Sequence, residues 1–368
     1  MNGEIANSVF QKMSDKKKIL IMAGGTGGHV FPALAIAKRL KEQGHEILWL
    51  GTRGRMEEQL VPKYGFKLEF IDVKGIRRNG LKAKLSAPFM ILKAILEALA
   101  VIKSFKPDVV LGMGGYASGP GGVAAFLKGI NVVLHEQNAA AGLTNRLLFK
   151  ISKFVMLGFP GAFSGSKVTV VGNPVRDDII SLYDKEKDFL HKNLRVAIVG
   201  GSLGAKALNE LVPSALKLCE NQKLEVMHQC GKGHLDGVLK AYEGANFDVK
   251  VSEFVNNMQE LYAQHDLIIC RAGALTVAET SVAGIPAIFV PLPTAVDDHQ
   301  TKNARFLESV GAAFVKPQSS LDPQSLAKLI DSLNDDREKL ANMSKNAHDN
   351  AVIDATEKAC KIVINACK

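Results

Sequence analysis

The chain has 368 residues, 47% of them hydrophobic and 23% charged, with a net charge of +9. That is too long for one average core, too apolar for a disordered chain, and without the run of about 18 uncharged apolar residues that crosses a membrane. Its five cysteines (Cys219, Cys230, Cys270, Cys360, Cys367) are odd in number and lack CxxC spacing, which argues against disulfide or metal frameworks and for a reducing compartment.

In chain order, residues 1–17 contain no apolar core of signal-peptide length and read as a flexible tail. Then β-branched runs alternate with helical stretches. KILIMA, EILWLG, KLEFIDV, DVVLGMG and NVVLHE read as strands in the first half, and RVAIVGG, LEVMHQCG, DVKVSEF, DLIICRAG and PAIFVPLP in the second. Helices are expected between most of them, for example over 31–43 and 204–219. Such alternation implies parallel sheets built from crossover connections. KILIMAGGTGGH and RVAIVGGSLGAK echo one another, so two doubly wound domains are expected, with a break where Gly-Asn-Pro interrupts 170–178.

Residues 81–103, LKAKLSAPFMILKAILEALAVIK, carry Leu85, Phe89, Leu92, Leu96 and Leu99 at helical spacing. One reading is a helix packed on the core through that stripe. The other is a monotopic membrane contact through Phe89, Met90 and Leu92, with Lys82 and Lys84 beside them.

The glycine-rich loops carry the chemistry. Glycine lets backbone approach a ligand, and a helix N-terminus presents unpaired N–H groups to an anion. In AGGTGGHV the third glycine of a GxGxxG pattern is replaced by Val30, and no acidic residue ends the second strand, which disfavours a nicotinamide dinucleotide. GKGH at 231–234 lacks the hydroxyl of a P-loop. GMGGYASGPGG and HEQNAAAGLTNR also follow strands, so three loops should share the carboxyl rim of the first sheet. GGSLGAKALNE, CRAGALTVAE and PTAVDDHQTKNA do the same in the second half, and two such rims across a hinge would make a ligand cleft. The positive charge suits a polyanionic partner, yet the chain is 6% aromatic and has no Arg/Lys–aromatic stripe, so nucleic acid is not expected.

GGTGGHVFPALA, GMGGYASGPGG, HEQNAAAGLTNR, GNPVR, GGSLGA, RAGALTVAE and DDHQTKNA occur in this order. Together they resemble the MurG family, the peripheral membrane glycosyltransferases of bacterial peptidoglycan synthesis. The resemblance implies an α/β GT-B fold, two Rossmann-like doubly wound domains facing a central cleft. It implies an acceptor- and membrane-facing domain over 18–175, a UDP-sugar domain over 176–349, and a C-terminal helix over about 350–368 that returns to the first. It further implies inverting transfer of N-acetylglucosamine from UDP-N-acetylglucosamine to lipid I, giving lipid II, at the cytoplasmic face of the bacterial inner membrane. An anionic membrane surface and other cell-wall synthesis proteins are the implied partners.

By position, the resemblance assigns Thr26, Gly27, Gly28, Asn138, Arg176, Ser202, Val255, Ala274, Leu275, Thr276, Val277, Ala278, Glu279 and Gln300 to the nucleotide sugar. Val255 would meet uracil, Glu279 the ribose hydroxyls and Gln300 the sugar hydroxyls. The residue types agree: a carboxylate suits a vicinal diol, and helix N-termini with an arginine suit a departing diphosphate. Gly114, Gly115, Tyr116 and Ser118 are candidates for the acceptor diphosphate, and Arg77 and Arg78 for lipid phosphates. No D-x-D pair occurs to hold a metal against a diphosphate, so no metal or other cofactor is expected. His29 sits where a helix N-terminus favours the neutral imidazole, so it is a candidate general base for the acceptor hydroxyl, or else only holds a loop. Glu136 is the alternative base, and His135 is expected to pack behind its strand. AAAG after HEQN and PTAVDDHQ before TKNA depart from the commonest family pattern.

Overall fold

Two parallel sheets organise the chain, each in its own unit. The computed structural model describes residues 16–73, 81–201 and 203–368, with backbone alone over 81–86. Most of the expected N-terminal tail, together with Arg77, Arg78 and Ser202, lies outside the described residues. One unit comprises residues 16–137, 141–174 and 354–368. The other comprises 138–140 and 175–353.

The first unit opens with β1 (Lys18–Met22), whose residues Ile19 to Met22 are fully buried. A run apolar on both faces fits only a strand covered on both sides, which is why it is central and parallel. Helix α1 (Gly27–Glu42), β2 (Glu46–Gly51), α2 (Met56–Lys63), β3 (Lys67–Phe70), α3 (Leu81–Phe105), β4 (Val109–Gly112), α4 (Ser118–Leu127), β5 (Asn131–Glu136), α5 (Leu143–Phe149), β6 (Phe154–Leu157) and β7 (Val168–Val170) follow. Strand order is β3-β2-β1-β4-β5-β6-β7. Because β1 pairs with β2 on one side and β4 on the other, with Met22 opposite Gly112, the chain reverses its winding there. The loops leaving β1 and β4 therefore emerge side by side, the usual place for a ligand in such sheets.

The second unit contains a short α6 (Asp177–Ile180), then β8 (Leu194–Val199), α7 (Lys206–Leu218), β9 (Leu224–Gln229), α8 (Leu235–Ala241), β10 (Asp248–Ser252), α9 (Met258–Gln264), β11 (Leu267–Cys270), α10 (Ala274–Val282), β12 (Ala287–Phe289), α11 (His299–Ser309), β13 (Ala313–Val315), α12 (Pro323–Asp335) and α13 (Arg337–Asp349). Its order, β10-β9-β8-β11-β12-β13, reverses between β8 and β11. The last helix, α14 (Ala355–Asn365), packs along α1 in the first unit, with Cys360 buried against Ile36.

The two doubly wound sheets agree with the sequence-based expectation. Strands β6, β7 and β13 had no counterpart in it. Helix α1 begins four residues earlier than expected, at Gly27, so the glycines and His29 form its first turn rather than a preceding loop. The helix over 81–103 packs on the core as one reading expected, but mainly through a face other than the expected stripe. Phe89 is 76% exposed, Leu92 56% and Leu96 58%, while Ala87, Ala94, Ala98 and Ile102 are buried. Ala94 and Ala98 meet Ala124 and Ala125 of α4 in one apolar cluster, and small residues bring the two helices close. Phe89, Leu92 and Leu96 are thereby turned outward, while Leu99 of the same stripe packs against the cluster.

Candidate functional site

At the switch point of the first sheet, Trp49 of β2 is fully buried and donates its indole N–H to the Ala23 carbonyl (2.8 Å). This fixes where the chain leaves β1. Thr26 precedes α1, but no side chain caps this helix and its first turn holds no acidic residue. Its leading N–H groups are thus available to an anion. Thr26 is exposed, and Gly27, Gly28 and His29 are half-buried. His29 Nδ1 lies 3.1 Å from the Gly24 carbonyl. A carbonyl only accepts, so Nδ1 is the donor in this contact, which in the neutral tautomer makes Nε2 the basic nitrogen.

The loop after β4 packs onto this one through backbone. Gly115 has φ +86°, and a Cβ there would stand 2.4 Å from the Gly24 carbonyl oxygen. Glycine is required on both counts. Gly114 abuts the His29 ring: a Cβ on Gly114 would lie 3.0 Å from Nε2. Tyr116 is exposed, with the Arg55 guanidinium 5.4 Å from its ring centroid. Ser118 is fully buried, and its hydroxyl is held by the carbonyls of Met22 (2.8 Å) and Gly114 (2.7 Å). That ties the loop to β1, so a contact between this hydroxyl and an acceptor has no support in the geometry.

At the end of β5, Glu136 is buried and its Oε2 accepts from the Gly142 N–H (3.0 Å) and the Asn145 amide (2.9 Å). It shapes the turn into α5. His135 is fully buried, donates Nε2–H to the Gly172 carbonyl (3.0 Å), and is pushed by burial to a pKa of about 4.

In the second unit, Asn303 of α11 is fully buried and joins three backbone and side-chain groups. Its Oδ1 accepts from the Ala139 N–H (2.8 Å), and its amide donates to Asn138 Oδ1 (3.1 Å) and the Ala272 carbonyl (3.2 Å). Helix α10 starts at Ala274 after Gly273, again with no side-chain cap, so the N–H groups of Ala274, Leu275 and Thr276 point outward from an uncapped end. Val277 is buried beneath them, and Ala278 is half-buried.

Glu279 lies one turn further along α10 and is 5% exposed. Its Oε1 meets the Arg176 guanidinium (Nη2 at 3.2 Å), and its Oε2 accepts from the Tyr262 hydroxyl (3.0 Å). Burial raises the Glu279 pKa, and the Arg176 charge and Tyr262 hydrogen bond oppose that rise only in part. Each carboxylate oxygen has two lone pairs, so capacity for a further donor remains. Val255 lines a cavity of about 850 Å³ with Ser252, Phe254, Asn257 and Leu261. Gln300 accepts from the Leu292 N–H (2.9 Å). In the loop after β8, the Gln229 amide holds the Gly201 backbone at both its N–H and its carbonyl (3.0 Å each).

Residue patterns did not single out Glu57, Tyr262, Gln229 or Asn303. Asn303 lies within the quoted DDHQTKNA, so the motif pointed near it. Nothing in RMEEQL distinguishes buried Glu57 from its neighbour Glu58. For Lys82 and Lys84 only the backbone is described.

Comparison with known proteins identifies the family. The glycosyltransferase family 28 N-terminal domain matches residues 19–157 and the C-terminal domain residues 195–359. The chain is 53% identical to the UDP-N-acetylglucosamine--N-acetylmuramyl-(pentapeptide) pyrophosphoryl-undecaprenol N-acetylglucosamine transferases of Shewanella baltica (strain OS185) and Shewanella oneidensis. Each match covers 95% of this chain and 97% of the relative. Among solved structures, Acinetobacter baumannii MurG matches with a TM-score of 0.83 and 45% identity, covering 95% of this chain and 99% of that one. A Neisseria meningitidis UDP-GlcNAc 2-epimerase bound to UDP-GlcNAc matches at TM-score 0.68 and 16% identity over 95% and 100%, a likeness of fold alone.

Proposed function

The chain belongs to glycosyltransferase family 28, and from that premise we propose how it works. It is an N-acetylglucosaminyltransferase that moves the sugar from UDP-N-acetylglucosamine to lipid I and so forms lipid II of peptidoglycan. The observation that carries this reading is 53% identity, sustained over 95% of the chain, to transferases named for that reaction.

The donor belongs to the second unit. The uncapped α10 terminus, with Ala274, Leu275 and Thr276, suits the diphosphate, and Ser202 and Arg176 add to it. Val255 in its cavity suits the uracil, Glu279 the ribose diol, and Gln300 the sugar. Asn138, held by Asn303, completes the donor contacts of this unit. The acceptor diphosphate falls to the backbone N–H groups of Gly114 and Gly115 and to Tyr116.

In the chemical step the acceptor hydroxyl oxygen forms a bond to the anomeric carbon. The bond from that carbon to the diphosphate oxygen breaks, and UDP leaves with the electron pair. Attack opposite the leaving group inverts the centre. The hydroxyl proton passes to His29 Nε2, the nitrogen that the Gly24 hydrogen bond leaves basic. Glu136 is the weaker candidate, since its carboxylate is buried and braced by Gly142 and Asn145.

A lipid-linked acceptor calls for a membrane surface. Among the described residues no helix is long and apolar enough to cross one. Phe89, Leu92 and Leu96 of α3, Phe126 and Leu127 of α4, and Leu143 and Leu147 of α5 are exposed on successively packed helices. This supports peripheral seating on an anionic bilayer at the cytoplasmic face, with Met90 at the edge and Lys82 and Lys84 nearby in sequence. The direct test is transfer of labelled sugar from UDP-N-acetylglucosamine to a short-chain lipid I analogue, with UDP-N-acetylgalactosamine and diacylglycerol as control donor and acceptor. Equal labelling of diacylglycerol, or none of lipid I, would overturn the assignment.

A further inference from the structure

Glu57 is fully buried in the first turn of α2. Its Oε1 accepts from the Thr52 N–H (3.1 Å) and the Thr52 hydroxyl (2.9 Å), and its Oε2 from the Gly25 N–H (2.9 Å). All three donors are neutral. A buried carboxylate without a cation is costly to keep, and neutral side chains could serve Thr52 and Gly25 more cheaply. Gly24 is pressed against it: a Cβ there would lie 2.2 Å from Glu57 Oε1.

The Gly25 nitrogen and the Gly24 carbonyl belong to one peptide group. That group donates to Glu57 on one side and accepts from His29 Nδ1 on the other. We propose that Glu57 is a positioning residue for proton transfer, acting on His29 through the Gly24–Gly25 peptide. This rests on the assignment of His29 as the base. A negative charge at the N–H end polarises the amide and strengthens its carbonyl as an acceptor. The stronger acceptor locks the Nδ1–H tautomer and stabilises the imidazolium that forms when Nε2 takes the proton. It does for the ring what a carboxylate in direct contact does in a catalytic triad, at one amide's remove.

Among the described residues, other titratable groups on the surrounding elements are few. Arg55, before α2, lies over Tyr116 from the β4 loop. Glu136 at the end of β5 is engaged by Gly142 and Asn145, and its neighbour His135 stays neutral down to about pH 4. The first turn of α1 contributes no acid, and β1 beneath is apolar.

The experiment measures kcat against pH for wild type, E57Q, E57D and H29Q, and reads the His29 tautomer by NMR in protein labelled with ¹⁵N-histidine, H29Q supplying the assignment. Wild type should show the Nδ1–H form. E57Q should lose about 10-fold or more in kcat, with the KM for UDP-N-acetylglucosamine within about twofold. Its acidic limb should move to lower pH by about half a pH unit, because the charge that favours imidazolium is gone. E57D, which keeps the carboxylate, should retain the wild-type limb. An Nε2–H tautomer in wild type overturns the proposal without any variant having to fold, as does an E57Q limb that stays in place. H29Q at wild-type speed would instead remove the base assignment itself.

Discussion

Arg176 and Glu279 form an ion pair, with the guanidinium 3.2 Å from a carboxylate oxygen whose twin accepts from Tyr262. The pair is mostly buried, so its members depend on each other. Removing one partner leaves the other charged and desolvated.

The first prediction follows from that dependence. Glu279→Gln should raise the KM for UDP-N-acetylglucosamine about 10-fold or more, because an amide cannot accept from both ribose hydroxyls while meeting Arg176. Tyr262→Phe should cost about 1–3 kcal/mol of stability with a smaller change in KM. Calorimetric titration with UDP and urea unfolding separate the two. Equal KM values in wild type and E279Q would remove Glu279 from the nucleotide site.

Asn303 braces Asn138, Ala139 and Ala272 from a fully buried position. Asn303→Ala takes a partner from the half-buried Ala139 N–H and the buried Ala272 carbonyl, a loss of about 2 kcal/mol. Asn303→Asp should be worse, since a carboxylate cannot donate to the Ala272 carbonyl. Thermal unfolding ranks the three proteins, and a variant as stable as wild type would show that Asn303 is dispensable as a brace.

Acid should loosen the fold through two histidines. Burial lowers His135 and His228 from 6.5 to about 4. The folded chain favours their neutral forms, so this stability is whole above pH 6.5 and is lost as pH falls from there toward 4. His135 alone should cost about 2 kcal/mol by pH 5. Urea midpoints at pH 7.5 and pH 5 measure the loss, and His135→Gln should flatten the slope. An unchanged slope in that variant contradicts the burial argument.

The outward stripe of α3 is tested on vesicles. The double substitution Phe89→Ser with Leu92→Ser should abolish co-sedimentation with anionic liposomes and leave turnover of a water-soluble acceptor analogue within about twofold. If the variant still co-sediments, α3 is not the seat.

Much of the fold was legible because buried parallel strands announce themselves as unbroken apolar runs: KILIM and LIIC need no context to be read. The loops were legible as well, since glycines at strand ends are required by backbone geometry, as at Gly115, whose Cβ would strike the Gly24 carbonyl. The stripe at Phe89, Leu92 and Leu96 misled because helical spacing reveals a face without saying which face is covered. Ala94 and Ala98 took the inner side, where close packing against Ala124 and Ala125 outweighed hydrophobic bulk.

The linear order of residues by itself determined the strand cores, the glycine loops and the family, since each depends on neighbours a few positions apart. Tertiary structure alone decided that Glu57 is buried beneath Gly25 while Glu58 is not, that the Ser118 hydroxyl turns to Met22, and that Asn303 reaches Asn138 from 165 positions away. Hydrogen-bond partners of buried polar groups come from distant strands and helices. Which donor meets which acceptor is therefore settled only when the sheets have packed.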